Sequence, residues 1–265
     1  MPLINIDNLD DPRLDRYRDL PARRMDNDPI YMVVEGKINV QRLIDVGWPI
    51  QSIVVESKKS KLVPQQVTET CDVYNLPTKL ISQIVGYPFH NGLLACCKRP
   101  DNANLDQLMI RDGERATLVL CPNVNNTENM GSLIRIAAGF GATALISGEQ
   151  SCDPYCRRSL RVSMGTIFSL PIIRSDDMAT LMVQLTDKYN VKHTAAVLSD
   201  TAVPLSQIKR NSPVSLVLGS EDHGIDEHWL KHAQQHAIIP MSLDTDSLNV
   251  SVAGAVCLYH LTQLI

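Results

Sequence analysis

Aromatic side chains are scarce in this chain, at 5% of residues, with 2 Trp and 3 Phe. A ligand site built mainly of stacked rings is therefore not expected. An excess of positive charge is missing too: 25 Lys and Arg stand against 29 Asp and Glu, a formal charge of −4. That balance excludes a wholly basic nucleic-acid coat protein, while leaving room for a local basic face. No apolar run approaches the roughly 20 residues that span a bilayer, so no membrane partner is expected. The start, Met1 to Asp7, lacks a basic stretch followed by an apolar one, and no export leader is expected. The 7 cysteines form no CxxC pair; Cys96 and Cys97 are adjacent and the others scattered. Such usage suits reduced thiols in a cytoplasm better than disulfides or a zinc site.

What is present is 265 residues with 44% hydrophobic content, enough for one large or two modest globular domains. Residues 1–28 are polar, with Arg13, Arg16, Arg18, Arg23 and Arg24 alternating with Asp11, Asp15, Asp19, Asp26 and Asp28. They read as a solvated arm, or as an arm whose arginines touch RNA phosphate. Strand patterns follow at 30–34, 50–56, 73–76 and 92–98, with helix patterns at 37–46, 62–71 and 79–85. That alternation predicts a small α/β domain over 29–100. The polar, turn-rich stretch from Lys98 to Asn104 opens a linker over 101–115.

Residues 116–265 alternate again. Strands are expected at 116–121, 142–146, 172–173, 194–198, 214–218 and 237–239. Helices are expected at 130–139, 154–164, 178–189, 226–235 and 248–264. The spacing fits a mostly parallel sheet covered by helices.

Three segments depart from ordinary scaffold. The first runs from Asn125 to Arg135, past the end of an apolar strand, where α/β sheets place ligand sites. Met130, Leu133, Ile134, Ala137 and Ala138 form its buried stripe. Gly131, Arg135 and Gly139 recur on another face, so Arg135 projects from a bare strip. Asn129 reads equally as a helix cap. The second segment, Leu216 to Ile225, carries an apolar strand into a loop bounded by Gly219 and Gly224. Such a loop holds a ligand through main-chain groups and presents one carboxylate, Glu221; equally, it is a strand-to-helix turn. The third is Ile239-Pro240-Met241, then Ser247-Leu248-Asn249 and a helix apolar nearly all round. A helix of that kind is buried in a core or a subunit interface, and must be tied down.

Two further patterns are distractors. Gly139-Phe140-Gly141-Ala142-Thr143-Ala144 matches a dinucleotide fingerprint but closes a helix instead of opening one. His228, His232 and His236 recur every four residues, without a companion carboxylate motif, and no metal site is assigned.

Taken together and in this order, the three segments resemble the SpoU (TrmH-type) RNA 2′-O-ribose methyltransferases of the SPOUT superfamily. Arg161 to Phe168 and Pro171 add to the likeness. The N-terminal part, through Glu35-Gly36 and Gly92-Leu93-Leu94-Ala95, is similar to the ribosomal-protein-like domain that many relatives carry for RNA binding. Departures are Leu243, where many relatives have glycine, and Asp222-His223. The resemblance implies a trefoil-knotted catalytic domain over 116–265, a homodimer and S-adenosylmethionine as cofactor. It implies methyl transfer to a ribose 2′-hydroxyl of ribosomal or transfer RNA. Carried over by residue, Arg135 is the central catalytic group, surrounded by Asn129, Glu221, Ser247 and Asn249, while Gly219, Ile239 and Leu248 line the cofactor pocket. A guanidinium is a poor base, so Arg135 is expected to bind the target phosphate and stabilise the emerging alkoxide. The alternatives are a knotted RNA-binding or assembly factor without turnover, and a related enzyme methylating a base. With a net charge of −4, RNA contact must be local, through the N-terminal arginines and Arg135, Arg157, Arg158 and Arg161.

Overall fold

The computed structural model describes residues 3–18, 20, 28–89, 92–199, 201–242 and 247–264. In chain order its elements begin with β1 (Ile4–Asn5), β2 (Tyr31–Glu35), α1 (Lys37–Asp45), β3 (Ile50–Glu56), α2 (Gln65–Thr68), β4 (Asp72–Leu76), α3 (Thr78–Val85) and β5 (Leu93–Lys98). They continue with α4 (Leu105–Asp112), β6 (Thr117–Cys121), α5 (Thr127–Gly139), β7 (Ala144–Ser147), α6 (Arg157–Val162), β8 (Ile172–Arg174), α7 (Met178–Tyr189) and β9 (Lys192–Ala196). The last are β10 (Val203–Pro204), β11 (Val214–Val217), α8 (Glu227–Leu230), β12 (Gln235–Ile238) and α9 (Val250–Tyr259). Two compact units result: Met1–Asp101 with Tyr155–Phe168, and Asn102–Pro154 with Ser169–Ile265. The expected linker therefore contains a helix, α4, that belongs to the second unit. The expected catalytic domain in turn gives residues 155–168 to the first.

The first unit is a mixed sheet in the order β1-β4-β3-β5-β2. Its β5 runs antiparallel to β2 and β3, while β3, β4 and β1 are parallel. Helix α3 lays Ile81, Ile84 and Val85 on the core and stops at Gly86, whose φ of 81° is a left-handed cap open to glycine. Segment 155–168 is held by charge. The Glu35 carboxylate, 1% exposed, accepts both Nε and Nη2 of Arg157, at 3.0 and 2.8 Å, and the Tyr87 hydroxyl. Burial and that carboxylate push the Tyr87 phenol up to about 12.

Among the described residues of the expected solvated arm, 3–18 and 20 are instead built into this unit. Ile4–Asn5 pairs with β4, and Ile6, Leu14, Tyr17 and Leu20 are buried. Leu14, Tyr17 and Leu20 recur every third residue, the period of the 3-10 turn that covers Pro12–Tyr17. The Tyr17 hydroxyl replaces a rung of the sheet. Where the β3–β5 register shifts between Ile50 and Ser52, it donates to Ser52 O (2.9 Å) and accepts from Cys96 N (3.1 Å). Burial raises its phenol well above the usual value, so it stays a neutral donor. Tyr17→Phe should remove both of these buried hydrogen bonds and cost about 1–3 kcal/mol in urea unfolding. A change below about 0.5 kcal/mol, inside ordinary surface scatter, would mean that water takes over the rung. Arg23 and Arg24 lie outside the described residues.

The second unit is a seven-stranded sheet, order β10-β12-β9-β11-β6-β7-β8, in which every neighbouring pair is parallel. Its central strands β6, β7 and β11 are buried on both faces, as helices covering both sides of a parallel sheet require. Leu118, Leu120, Ile146 and Val217 pack with Met178, Met182, Leu185 and Trp229. The helix expected over 226–235 shrinks to α8. Gln235 is drawn into the ladder against Thr194, and the strand wins over local helical spacing. Consequently His236 lies on β12, away from His228, and the repeat of histidines does not share one helix. Weak helix 62–71 likewise reduces to α2, since Pro64 holds Val63 in extended backbone and the helix starts only after it.

The C-terminal helix is anchored as its apolar character requires. His260 Nε2 lies 2.9 Å from Ile208 O, and Arg210 donates to Leu261 O (3.3 Å) and to Ala116 O (3.1 Å). Gly254 lets α9 approach α5 closely, because a Cβ there would sit 2.7 Å from Leu133 Cδ2. Yet α9 is not wholly buried: Val252, Val256 and Tyr259 are 48%, 41% and 48% exposed.

Candidate active site

The second unit gathers its polar groups at the C-terminal ends of β6, β9, β11 and β12, the edge where parallel sheets receive ligands. Just beyond β6, Ser151 Oγ donates to Cys121 O (2.6 Å) and accepts from Val124 N (2.9 Å), fixing the exit of that strand. Helix α5 then starts at Asn126, whose side chain accepts from Glu128 N and Asn129 N. The cap is thus Asn126 and not Asn129. Asn129 is free to serve elsewhere, and its side chain, on a residue 7% exposed, faces the start of α9.

There Asn249 takes three roles. Its Oδ1 caps α9, accepting from Ser251 N at 2.9 Å. Its Nδ2 donates to Asn129 Oδ1 at 3.0 Å and to Glu221 Oε1. Three expected residues, from three separate segments, therefore form one hydrogen-bonded cluster.

The Glu221 loop is closed on itself. Ser220 and Gly224 exchange both backbone hydrogen bonds, each 3.0 Å. A Cβ on Gly219 would fall 2.1 Å from Gly224 O, so only glycine fits. Gly224 itself turns with φ of +66°. Asn123, which sequence reasoning missed, spans the loop: its Nδ2 donates to Gly224 O (3.0 Å) and its Oδ1 accepts from Ser220 N (3.2 Å). Its signal in the sequence was faint, an Asn after a strand with a partner about a hundred residues on.

Beside this loop lies a cavity of 610 Å³. Its wall includes Gly219, Ile239 and Leu248, the three expected cofactor residues, with Ser247 and Glu221 and the apolar Leu198 and Leu218. Arg135 stands apart from the cluster. It is exposed on α5 and makes no hydrogen bond or ion pair among the described residues. The bare strip around it is shorter than expected, because Gly131 is buried while Gly139 is exposed. Each four-residue step drifts about 40° around a helix, which turns Gly131 inward. Leu243 lies outside the described residues.

A family model for the SpoU rRNA methylases matches residues 116–259. The chain belongs to the SpoU family. An uncharacterised tRNA/rRNA methyltransferase of Mycobacterium tuberculosis is 30% identical over 264 residues, covering 96% of this chain and 90% of that one. A 23S rRNA (guanosine-2′-O-)-methyltransferase of Acinetobacter baylyi is 28% identical, over 74% of this chain and 82% of its own. Among solved structures, the AdoMet-bound rRNA methyltransferase of Sinorhizobium meliloti superposes with a TM-score of 0.84 at 23% identity, covering 99% of this chain and 98% of that one. The SpoU match begins at Ala116, so the mixed N-terminal sheet lies outside the family model. Asn129, Glu221 and Asn249 all lie inside it.

The arginines expected on RNA sort differently. Arg157 is committed to Glu35 and only 13% exposed. Arg13 pairs with Asp11 at 2.6 Å, holding that carboxyl down to about 2, and Arg18 pairs with Asp15 at 3.1 Å. Arg16 stacks on Tyr31, 3.6 Å from the ring centre.

Proposed function

We propose that this SpoU protein transfers a methyl group from S-adenosylmethionine to a ribose 2′-hydroxyl of ribosomal or transfer RNA. The observation that carries the reading is the Asn129–Asn249–Glu221 cluster, sharing Glu221 with the 610 Å³ cavity. The cavity suits the donor. It pairs apolar walls with a loop whose main chain is bared at Gly219, where no side chain fits. Gly219, Ile239 and Leu248 would hold it. When bound it supplies a methyl group made electrophilic by a positive sulfur. The relatives' names, a 23S rRNA guanosine-2′-O-methyltransferase and an AdoMet-bound rRNA methyltransferase, point the same way.

The chain's own residues then have separable tasks. Arg135 binds the phosphate next to the target and stabilises charge developing on the ribose oxygen. Asn249 and Asn129 orient the Glu221 loop, and Ser247 lines the cavity beside it. Positioning of this kind is worth about 7–11 kcal/mol of barrier.

A homodimer is part of the reading, supported by the exposed stripe Val252, Val256 and Tyr259, with Phe140 packed edge-on against Tyr259 at 5.9 Å. So is the trefoil knot, supported by β9 intervening between β11 and β12 and by the return of α9 onto α5. Seven free cysteines, with burial pushing the Cys257 thiol up to about 12, fit a reducing cytoplasm. RNA contact is better sought on the N-terminal sheet's other rim than on the paired arginines. There Lys37, Lys58, Lys61 and Lys79 are exposed, while Glu35 and Glu56 are buried and bonded.

The test is to digest total RNA from cells with and without this protein and map methylated nucleosides. A 2′-O-methyl nucleoside lost with the protein is the expected result. A base-methylated nucleoside lost instead would assign base chemistry. No change, with no donor binding in calorimetry, would assign an assembly factor.

A further inference from the structure

We propose that Asp222 and Glu227 bias the cavity toward a cation, so that it favours the sulfonium donor over the uncharged thioether left after transfer, a role that rests on the methyltransferase reading above. Charge around the cavity is one-sided. Glu221, Asp222 and Glu227 are in its wall, and among the described residues no lysine or arginine lines it. Residues 219–231 hold carboxylates at Glu221, Asp222, Asp226 and Glu227 against a single ammonium at Lys231. The charge of the lining carboxylates is not cancelled locally. Glu221 accepts from the Asn249 amide, which is neutral, and neither Asp222 nor Glu227 forms an ion pair among the described residues. Backbone fixes where these groups stand. The Ser220–Gly224 exchange closes the loop that carries Glu221 and Asp222, and Asn123 grips that loop on both sides. Glu227 is the first residue of α8, held by the Asp226 cap, whose side chain accepts from His228 N at 2.9 Å.

The effect needs no particular pose of the ligand. A compact space of 610 Å³ is about 10 Å across, close to the Debye length of about 10 Å at 0.1 M salt. A charge on a lining residue therefore acts on whatever fills the space without having to touch it. Donor and product differ where this field counts. S-adenosylmethionine carries a sulfonium, an ammonium and a carboxylate, so one net positive charge. Transfer leaves the carbon–sulfur electron pair on sulfur, and S-adenosylhomocysteine keeps only a balanced ammonium and carboxylate. Apart from one methyl group, everything else is shared. The carboxylates thus tighten the donor and leave the product almost untouched, and the cavity loosens as the methyl leaves. Exposed carboxylates act through water, so each contributes only about two- to fivefold in Kd. His223 and His236 also line the cavity. Imidazoles are ordinarily uncharged by about pH 8, which sets the condition of the test.

The experiment is calorimetry on the full chain at about pH 8 and about 20 mM salt, where screening is weak. Three probes are used: S-adenosylmethionine, S-adenosylhomocysteine, and sinefungin, which puts an ammonium where the methylsulfonium stands. The variants are Asp222→Asn, Glu227→Gln and the two together. In the double variant the Kd of both cationic probes should rise about five- to twentyfold, and each single variant should give about two- to fivefold. The Kd of S-adenosylhomocysteine should stay within about twofold throughout, which also shows the cavity intact. In the wild type, about 0.5 M salt should weaken both cations several-fold and the product less than twofold, because the Debye length shrinks to about 4 Å. A double variant in which the ratio of donor to product Kd moves by less than twofold overturns the proposal. So does an equal rise for all three probes, which marks a change of shape and not of charge. A wild type that binds none of the three overturns the methyltransferase reading itself, and this role with it.

Discussion

Arg135→Ala should lower kcat by about 10³-fold while leaving the affinity for S-adenosylmethionine unchanged. The separation follows from position. Arg135 is exposed on α5 and is not part of the cavity wall, so its loss removes nothing the donor touches. Nor does it cost the fold, because the side chain bonds to no described residue. What disappears, on the proposed reading, is the cation that would meet the RNA phosphate. A donor aimed at developing negative charge is typically worth about 10²–10³ in rate. A phosphate contact that positions the target adds to that, and 10³ corresponds to about 4 kcal/mol of barrier. Arg135→Lys keeps the charge but not the planar fork, so it should recover only part of the loss. Single-turnover assays with saturating RNA, beside calorimetry for the donor, make the measurement. Turnover within threefold of wild type in Arg135→Ala would remove Arg135 from the chemistry. A matching loss of donor affinity would place it in the pocket instead.

The alternation of strand and helix is legible because it rests on local pattern. Runs such as Leu118 to Cys121 are apolar on both faces, and Asn126, Asp177 and Asn249 cap α5, α7 and α9. Two glycines bounding a loop were legible as well, and Gly219 proves to be a position with no room for a Cβ. What escapes is whatever depends on a distant partner. The N-terminal segment looks solvated because charges surround Leu14, Tyr17 and Leu20; only the register shift between β3 and β5 reveals why a phenol is needed there. Arg157 looks like a phosphate ligand until Glu35, far away in sequence, claims it. Asn129 reads as a cap until Asn126 takes that place and Asn249 engages the Asn129 side chain. Residues 226–235 have helical spacing, but seven parallel strands compete for Gln235 and win. Local chemistry names the candidates, and long-range pairing decides which of them are spent on the fold.

Gly219→Ala should weaken donor binding about 10²-fold, more than Gly224→Ala at the other end of the same loop. An ideal Cβ at that position meets Gly224 O at 2.1 Å, Gly224 C at 2.2 Å and Ile225 N at 2.5 Å. All three are backbone atoms, so no rotamer change relieves the overlap. The loop must open, breaking the Ser220–Gly224 exchange and the grip of Asn123. Glu221 then moves off Asn249, and the cavity loses one wall. Overpacking of this kind ordinarily costs about 1–3 kcal/mol. Since the cost falls on the binding-competent loop, the donor's Kd should rise about 10²-fold, equivalent to about 2.8 kcal/mol. Gly224→Ala is the informative partner. A Cβ there has nothing within 4 Å, and the penalty is confined to the left-handed backbone at φ +66°, about 1–2 kcal/mol. Its Kd should therefore rise about 5- to 30-fold, less than in Gly219→Ala. Calorimetry on both variants, with circular dichroism to show the sheet intact, separates steric closure from backbone strain. Equal losses in the two would mean that backbone freedom matters and the close approach does not. Donor binding within threefold of wild type in Gly219→Ala would move the donor site away from this loop altogether.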